Sequence, residues 1–544
     1  MNASTGPREV RYIVRLAAEV ASKSNRTRRR FQGRLAANLE DAILSAGAHG
    51  TVRDRWSRLF VTISAAESVA ENASAAPAKR ESADESDTES DVESDVGAAG
   101  ASASGPAAGA DKTAATGPVA VADRATAAAS RVFGISSFSR VDAETGADLG
   151  EIVRTGLDLY RDAVRGRRYA VAARRTGRHP FSSRDICVDL GAALNPYGTV
   201  DLTTPEVTVS VEVRDRRAYL FSGRTEGPGG LPLGVQGRAV CLISGGFDSA
   251  VAAWLLLKRG VALDYVFCNL AGPAFERSVI QVTRVLADRW SYGDRPRMHI
   301  VDFGETVAAL QRQVTPRYWQ VVLKRLMYRA ADGVAAGIGA DAVVTGESLG
   351  QVSSQTLRNL RAIESVAARP LLRPLIGFDK EEIIRIARRI GTAALSARVK
   401  EYCAILSGKP VTAAKIIAVD REEAPLDHAL VSRAVAARKV LDLRDLADED
   451  LGRAYLWVAE LPEGAGVIDC RPARQDDGWR HPGSRRVLPQ DFPDLAARLD
   501  RDACYVLFCD NGVQSGQFAN LLQSVGYEAY ALKGGTKAVR GATQ

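Results

Sequence analysis

Residues 237 to 260 constrain this chain more than any other stretch: Gly-Arg-Ala-Val-Cys-Leu-Ile-Ser-Gly-Gly-Phe-Asp-Ser-Ala-Val-Ala-Ala-Trp-Leu-Leu-Leu-Lys-Arg-Gly. An apolar run, Ala239 to Ile243, breaks at Ser244-Gly245-Gly246-Phe247-Asp248-Ser249, and an Ala/Leu-rich run follows to Leu257. That order predicts a buried strand, a tight glycine turn and a helix. Paired glycines let the backbone turn sharply and bring its N–H groups close to an anion. The free N–H groups and the dipole of the helix start then favour phosphate. The alternative is an ordinary strand–turn–helix with a glycine bend.

Strand and helix patterns alternate on the C-terminal side of this stretch. Strands are predicted at Val261 to Cys268, Met298 to Phe303 and Ala342 to Thr345. Helices are predicted at about Arg277 to Trp290, Trp319 to Gly337 and Lys380 to Ile390. Such alternation implies an α/β unit with a doubly wound parallel sheet that binds ligands at its strand C-termini. The strand ends Phe267-Cys268-Asn269 and Thr345-Gly346-Glu347-Ser348-Leu349-Gly350-Gln351-Val352-Ser353-Ser354-Gln355-Thr356 put small and polar residues where a nucleotide would lie. No Gly-Lys-Ser/Thr is present in the loop, which excludes a lysine-based β/γ-phosphate loop. The hexapeptide Ser-Gly-Gly-Phe-Asp-Ser instead resembles the pyrophosphate loop (PP-loop) of the ATP pyrophosphatases. Those enzymes cleave ATP to AMP and pyrophosphate while adenylating a substrate.

With 544 residues there is room for about three or four domains. No apolar run approaches the roughly 20 residues of a membrane span, and residues 1 to 8 lack an apolar signal core. The reading is a cytoplasmic protein with no membrane partner. Seven cysteines, at 187, 241, 268, 403, 470, 504 and 509, include no Cys-x-x-Cys pair, so neither a metal site nor a disulfide framework is indicated. Any disulfide in a reducing compartment would be catalytic and transient. The segment Glu81 to Asp95 carries eight acids and no Lys or Arg, and with a net charge of +7 the other residues sum to +15. A body that basic suggests a polyanionic partner, with a solubilising basic surface as the alternative.

At the N-terminal end, Val10 to Leu16 and Arg58 to Ser64 read as strands around a helix from about Arg28 to Leu44. The opening of that helix contains Lys23, Arg26, Arg28, Arg29 and Arg30. Positive charge at a helix N-terminus opposes the dipole, so a nucleic-acid phosphate is the natural cover, with a solvated charged face as the alternative. Residues 65 to 122 contain no Phe, Tyr, Trp, Leu or Ile and are expected to be a disordered acidic insertion. Regular patterning is expected to resume near Arg131. A helix over about 149–164 and a strand at Tyr169 to Arg174 precede the polar, basic segment Arg175-Thr176-Gly177-Arg178-His179-Pro180-Phe181-Ser182-Ser183-Arg184. A helix at 185–194 and strands at 207–213 and 217–221 complete a small α/β unit with a cationic edge. His179 has no cysteine at metal spacing, so it reads as structural or RNA-facing.

From about Ala454 the pattern changes again. Gly464 to Cys470 and Cys504 to Phe508 read as buried strands, and Cys509-Asp510-Asn511-Gly512-Val513-Gln514-Ser515 opens a helix to about Val525. A cysteine at the mouth of a strand-to-helix loop faces backbone N–H groups and a positive dipole end, which favour its thiolate. Cys504, inside the strand, reads as a small buried residue.

Together these pieces resemble the tRNA 4-thiouridine synthetase (tRNA uracil 4-sulfurtransferase) family over nearly the full length. The resemblance implies a ferredoxin-like domain at 8–148, interrupted by the insertion, and a THUMP RNA-binding region at 123–226. It further implies a PP-loop pyrophosphatase domain at 227–425, a linker at 426–453 and a rhodanese-like domain at 454–538. The THUMP likeness rests on the Arg-Thr-Gly-Arg-His-Pro-Phe-Ser-Ser segment and Pro205-Glu206-Val207-Thr208-Val209. The pyrophosphatase likeness rests on the hexapeptide, the 345–356 stretch and Arg373-Pro374-Leu375-Ile376-Gly377. Glu401-Tyr402-Cys403 resembles a resolving-cysteine motif. Gln514 stands where rhodanese loops often carry Arg.

What the resemblance implies for the site follows residue by residue. Leu242, Ile243, Ser244, Gly245, Gly246, Asp248, Ser249, Phe267, Cys268, Lys324, Gly346 and Gln355 would bind ATP, accompanied by Mg²⁺. Arg175, Arg178 and His179 join the basic helix start as RNA-binding candidates. ATP would adenylate O4 of uridine 8 of a tRNA. A cysteine desulfurase would load Cys509 with persulfide sulfur, and Cys403 would resolve it as a Cys403–Cys509 disulfide opened by a reductant. Asp248 would position Mg²⁺ or the attacked group. A second copy of the chain and a role in thiamine thiazole synthesis belong to the same expectation. The rival readings are a sulfur carrier for thiamine synthesis alone and a non-catalytic THUMP RNA-binding protein.

Overall fold

The computed structural model describes residues 9–55, 58–65, 118–270, 273–397, 399, 409–427, 429–446, 457–458, 460–473, 477–496, 498–501, 503–510, 513–524 and 527–541. Four sheets organise these residues. The first is antiparallel and contains Val10–Leu16 (β1), Ala48–Arg55 (β2), Arg58–Ala65 (β3) and Ile135–Arg140 (β4). Helix Asn25–Ser45 covers it with Phe31, Leu35, Leu39 and Ile43, an apolar stripe at helical spacing. Helix Pro118–Ala129 packs beside it and buries Ala122, Ala125 and Ala128.

That second helix corrects the expected extent of the insertion. Its last residues, 118–122, are helical, and the regular fold resumes well before Arg131. Alanines at helical spacing let a helix lie close against its neighbour while adding little apolar area, so a search for large side chains passes over it. Residues 66–117 lie outside the described residues.

The second sheet runs through Ala143–Gly146 (β5), Arg168–Thr176 (β6), Thr199–Val200 (β7), Val207–Arg214 (β8) and Arg217–Phe221 (β9) in the order β5-β9-β8-β6-β7. Helix Ser183–Leu194 begins at a capping box, with the Ser182 side chain on the Asp185 N–H and the Asp185 side chain on the Ser182 N–H. The chain then returns to the first sheet, where Thr225–Glu226 (β10) pairs with β4. Glu212 of β8 joins the two sheets, bound by Arg15 of β1 at 3.4 Å, Arg58 of β3 at 3.0 Å and Arg214 at 2.7 Å.

The third sheet is the predicted doubly wound one. It contains Arg238–Leu242 (β11), Ala262–Asn269 (β12), Arg297–Asp302 (β13), Ala342–Val344 (β14) and Leu371–Leu372 (β15), all parallel. A sixth strand, Lys439–Asp442 (β16), closes the β13 edge antiparallel. The stretch expected to be a linker, 426–453, therefore contributes a strand here, and Val431 of helix Ala429–Ala436 enters the central core. Short elements after a domain's main pattern carry too little periodicity to be assigned from sequence.

The first unit is locked onto the central one. Phe133 stacks among Trp254 and Trp290, with centroids 5.8 and 5.6 Å away. Arg34 donates to the Leu233 and Gly293 carbonyls at 2.8 and 2.6 Å. Asp41 accepts from the Gly293 N–H and pairs with Arg444, both at 2.8 Å or less.

The fourth sheet, order β17-β21-β20-β18-β19, is wholly parallel. Its strands are Trp457–Val458 (β17), Gly466–Asp469 (β18), Arg485–Arg486 (β19), Cys504–Phe508 (β20) and Glu528–Leu532 (β21). Arg277 of the central helix Pro273–Trp290 reaches it, pairing with Glu528 at 2.8 Å and hydrogen-bonding the Tyr530 hydroxyl. Among the described residues no helix is long and apolar enough to cross a membrane.

Candidate active site

The chain order β11, β12, β13 runs to one side of β11, and β14 lies on the other. The C-terminal ends of β11 and β14 therefore flank a topological switch point, where open α/β sheets leave a crevice. A cavity of about 440 Å³ lies there. Leu242, Ile243, Ser244, Gly246, Asp248, Ser249, Phe267, Cys268, Lys324, Gly346 and Gln355 line it. Gly245, the remaining member of the predicted set, is not among the lining residues. It makes the turn itself, at φ +75°, and a Cβ there would press on Val279 at 3.1 Å.

Helix Phe247–Lys258 starts at Gly246 with no side-chain cap, so its first N–H groups have no capping side chain. The Ser249 hydroxyl accepts from the Ser244 N–H at 3.2 Å and fixes the loop. Gly346 packs against that helix start so closely that a Cβ would lie 2.6 Å from the Ser249 nitrogen. A bare helix start facing a cavity is an anion site.

Asp248 sits in the first turn and is held from two directions. Lys380 donates to one carboxylate oxygen at 2.8 Å and Gln351 to the other at 2.8 Å. Glu347, almost fully buried, is also among the residues lining the cavity. Burial alone would raise its pKa, but Lys324, Tyr328 and Arg373 hold it below the usual carboxylate range. Tyr328 donates to it at 2.6 Å, Arg373 at 2.9 Å and Thr345 at 3.1 Å. Among the described residues no group of three or more His, Cys, Asp or Glu side chains could hold a metal ion. With Asp248 already tied to Lys380 and Gln351, these residues do not form a cage for a resident divalent cation.

Sequence reasoning did not single out Lys380, Gln351 or Tyr328. Lys380 opens a helix whose cap, Asp379 with Glu382, is legible. Nothing local says that it reaches a carboxylate 132 residues earlier.

Lys23, Arg26, Arg29 and Arg30 are exposed and Arg28 is half-buried at the start of helix Asn25–Ser45, which has no acidic residue in its first turn. Arg178 is exposed on the loop after β6, with Arg175 and His179 half-buried. His179 Nε2–H donates to the Asp215 carbonyl at 2.6 Å and Nδ1 accepts from Arg175 at 3.3 Å. Both its ring nitrogens are engaged within the protein, so it holds the loop against the β8–β9 turn.

In the fourth sheet, Cys509 follows β20 and is fully buried, just before helix Val513–Ser524. Hydrogen bonding from Cys470 outweighs burial and, with the Ser515 side chain and the Ser515 and Gln514 N–H groups, lowers its pKa to about 5. The Ser515 N–H and hydroxyl both lie 3.4 Å from the sulfur. Gln514 thus acts through its backbone, whatever its side chain is. Cys470 was not predicted as a site residue; a lone residue ending an apolar strand reads only as buried. Cys403 lies outside the described residues.

Comparison with known proteins accords with this division. "Thiamine biosynthesis protein (ThiI)" matches residues 234–427, "THUMP domain" 146–222 and "Rhodanese-like domain" 455–542. A tRNA sulfurtransferase of Pyrobaculum aerophilum is 39% identical over 77% of this chain and 87% of its own. One from Edwardsiella ictaluri is 38% identical over 74% and 85%. A solved 4-thiouridine synthetase, crystallised with RNA and ATP, superposes with a TM-score of 0.62 at 28% identity, covering 80% of this chain and 99% of that one. Identity at this level over most of both chains, together with an anion loop, a stabilised thiolate and a THUMP domain, means that the chain belongs to the tRNA sulfurtransferase family of enzymes.

Proposed function

We propose that this enzyme converts uridine 8 of tRNA to 4-thiouridine, by ATP-dependent adenylation of O4 followed by sulfur transfer from Cys509. The observation that carries the reading is the cavity between β11 and β14, with a helix start, Lys324 and the Ser244–Ser249 loop converging on it. Its volume is of the order that a bound nucleotide needs. Pyrophosphate lies on the loop N–H groups as O4 attacks the α-phosphorus, and those dipoles take up the charge that develops on the leaving group. Asp248 holds Lys380 and Gln351 at the rim, where they meet phosphate or base. Mg²⁺ arrives with the nucleotide.

Adenylation turns the carbonyl oxygen into a leaving group. Sulfur then reaches C4 from a Cys509 persulfide, and AMP departs. A cysteine desulfurase loads Cys509, whose thiolate is the form able to attack a sulfur donor. Cys403 is the resolving thiol that the resemblance supplies. The basic helix start at 23–30 and the loop at 175–179 hold tRNA by phosphate and shape. A second outlet is sulfur transfer for the thiamine thiazole, for which the C-terminal domain alone would suffice; the thiamine biosynthesis family that matches residues 234–427 is consistent with such a role.

Thionucleoside analysis of bulk tRNA tests the proposal. A deletion strain should lack 4-thiouridine and regain it with the wild-type gene but not with Asp248→Ala. Unchanged 4-thiouridine in the deletion strain overturns the reading. Thiamine auxotrophy rescued equally by wild type and Asp248→Ala would separate the second outlet from the first.

A further inference from the structure

Cys470 and Cys509 occupy equivalent positions at the ends of neighbouring parallel strands. The register pairs Asp469 of β18 with Phe508 of β20, so each cysteine is the next residue on its strand. The Cys470 N–H donates to the Phe508 carbonyl at 3.0 Å, which carries the pairing one step beyond the last strand residue. Adjacent strands lie about 4.8 Å apart. Disulfide-bonded residues have Cα atoms roughly 4.4–6.8 Å apart, so this spacing suits an S–S bond without backbone movement. Alternation puts the two side chains on the same face. Ile468, Cys470, Leu507 and Cys509 share one core cluster, whereas Val467, Val506 and Phe508 share the other. Both cysteines are fully buried, and the Cys470 Sγ–H donates to the Phe508 carbonyl at 3.1 Å.

We infer that Cys470 is a second resolving thiol, built into the same sheet as Cys509, which discharges a Cys509 persulfide as hydrosulfide with no movement between domains. The inference rests on the reading of Cys509 as the persulfide carrier. In the step, the Cys470 sulfur attacks the inner sulfur of the Cys509 persulfide. The Cys470–Cys509 bond forms as the bond to the terminal sulfur breaks, and the Cys470 proton leaves with that sulfur as hydrosulfide. The Cys470 sulfur rises to the disulfide level that the Cys509 sulfur already holds while the departing sulfur falls to the sulfide level, so thiol plus persulfide anion gives disulfide plus hydrosulfide. An external dithiol reductant then reopens the pair. The hydrosulfide is small enough to meet an adenylated uridine in the other cavity, which a protein-bound persulfide reaches only by bringing its domain there.

The arrangement also explains why the unloaded pair does not waste itself. The Cys470 Sγ–H donates to the Phe508 carbonyl at 3.1 Å and is kept a thiol by the neighbouring Cys509 and then by burial, while Cys509 is favoured as thiolate. Loading moves the electrophilic sulfur onto Cys509, and only then does Cys470 have something to attack.

The full-length Cys403→Ala protein provides the test, treated with inorganic polysulfide without reductant and then alkylated. Peptide mass spectrometry should find Cys470 joined to Cys509, with about one hydrosulfide released per chain. Cys470→Ser should retain the persulfide on Cys509 and release hydrosulfide at least roughly tenfold more slowly. A Cys403→Ala protein that keeps its Cys509 persulfide, with Cys470 recovered alkylated, overturns the inference and leaves the carrier reading intact. Failure of Cys509 to accept sulfur in any of these proteins removes both.

Discussion

Two neighbouring thiols in the fourth sheet drive each other's ionisation in opposite directions. Cys470, whose Sγ–H donates to the Phe508 carbonyl, is pushed up by its interaction with Cys509 and then by burial. Cys509 is lowered to about 5 by the same pair interaction and by Ser515. A thiolate-absorbance titration should therefore show one cysteine ionising near pH 5 in wild type. Cys470→Ala removes the largest stabilising contribution, so that midpoint should rise toward the ordinary thiol value of about 8.5. An unmoved midpoint would assign the thiolate to Ser515 and the loop alone. Cys509 was legible in sequence because a strand-to-helix loop has a known electrostatic sense. Cys470 was not, because its chemistry comes from a neighbour across the sheet. The same reason hid Lys380 from Asp248: the pairing belongs to tertiary structure, and only the two helix starts are written locally.

Elements with large apolar side chains at regular spacing were legible almost to the residue. Strands Val10–Leu16 and Cys504–Phe508 and helix Lys380–Ile390 lie where the pattern puts them. Helix Pro118–Ala129 and strand Lys439–Asp442 were missed, the first for its small residues and the second for its brevity. How the first two sheets are joined was also hidden, since Glu212 meets arginines from β1 and β3 only in the folded chain. Burial alone would raise the Glu212 pKa, but Arg58, Arg214 and Arg15 hold it below the usual carboxylate range. A carboxylate with a lowered folded pKa stabilises the fold above its unfolded pKa and ceases to do so as pH falls through the folded one. Glu212→Gln leaves three guanidinium groups around a neutral side chain and should cost about 3 kcal/mol at neutral pH. Denaturant titrations should show that difference shrinking as pH drops below about 4.5, the unfolded value. A difference that persists unchanged at low pH would mean that packing, not charge, joins the sheets.

The whole molecule presents cations from two units that precede the nucleotide domain in the chain, and binding to a polyanion through them depends on salt. Changing Arg26, Arg29 and Arg30 to Ala should weaken tRNA binding and flatten the log Kd against log salt slope by about 2. An unchanged slope would remove that helix start from the RNA surface. Domain order was legible because each unit has its own pattern, but the interlocking of units was not. Phe133 completes an aromatic cluster with Trp254 and Trp290, and Arg444 clasps Asp41 of the N-terminal helix. The position of β16 has a consequence for how such a chain is made. Its partner β13 ends at Asp302, and β16 begins only at Lys439. At about 5–20 residues per second, a ribosome leaves the β13 edge uncovered for on the order of ten seconds after that strand is synthesised. During this interval the nascent central sheet offers a row of unpaired backbone groups to any neighbouring strand. Ribosome-associated chaperones therefore have most to protect in this protein between the synthesis of β13 and the emergence of its last central strand.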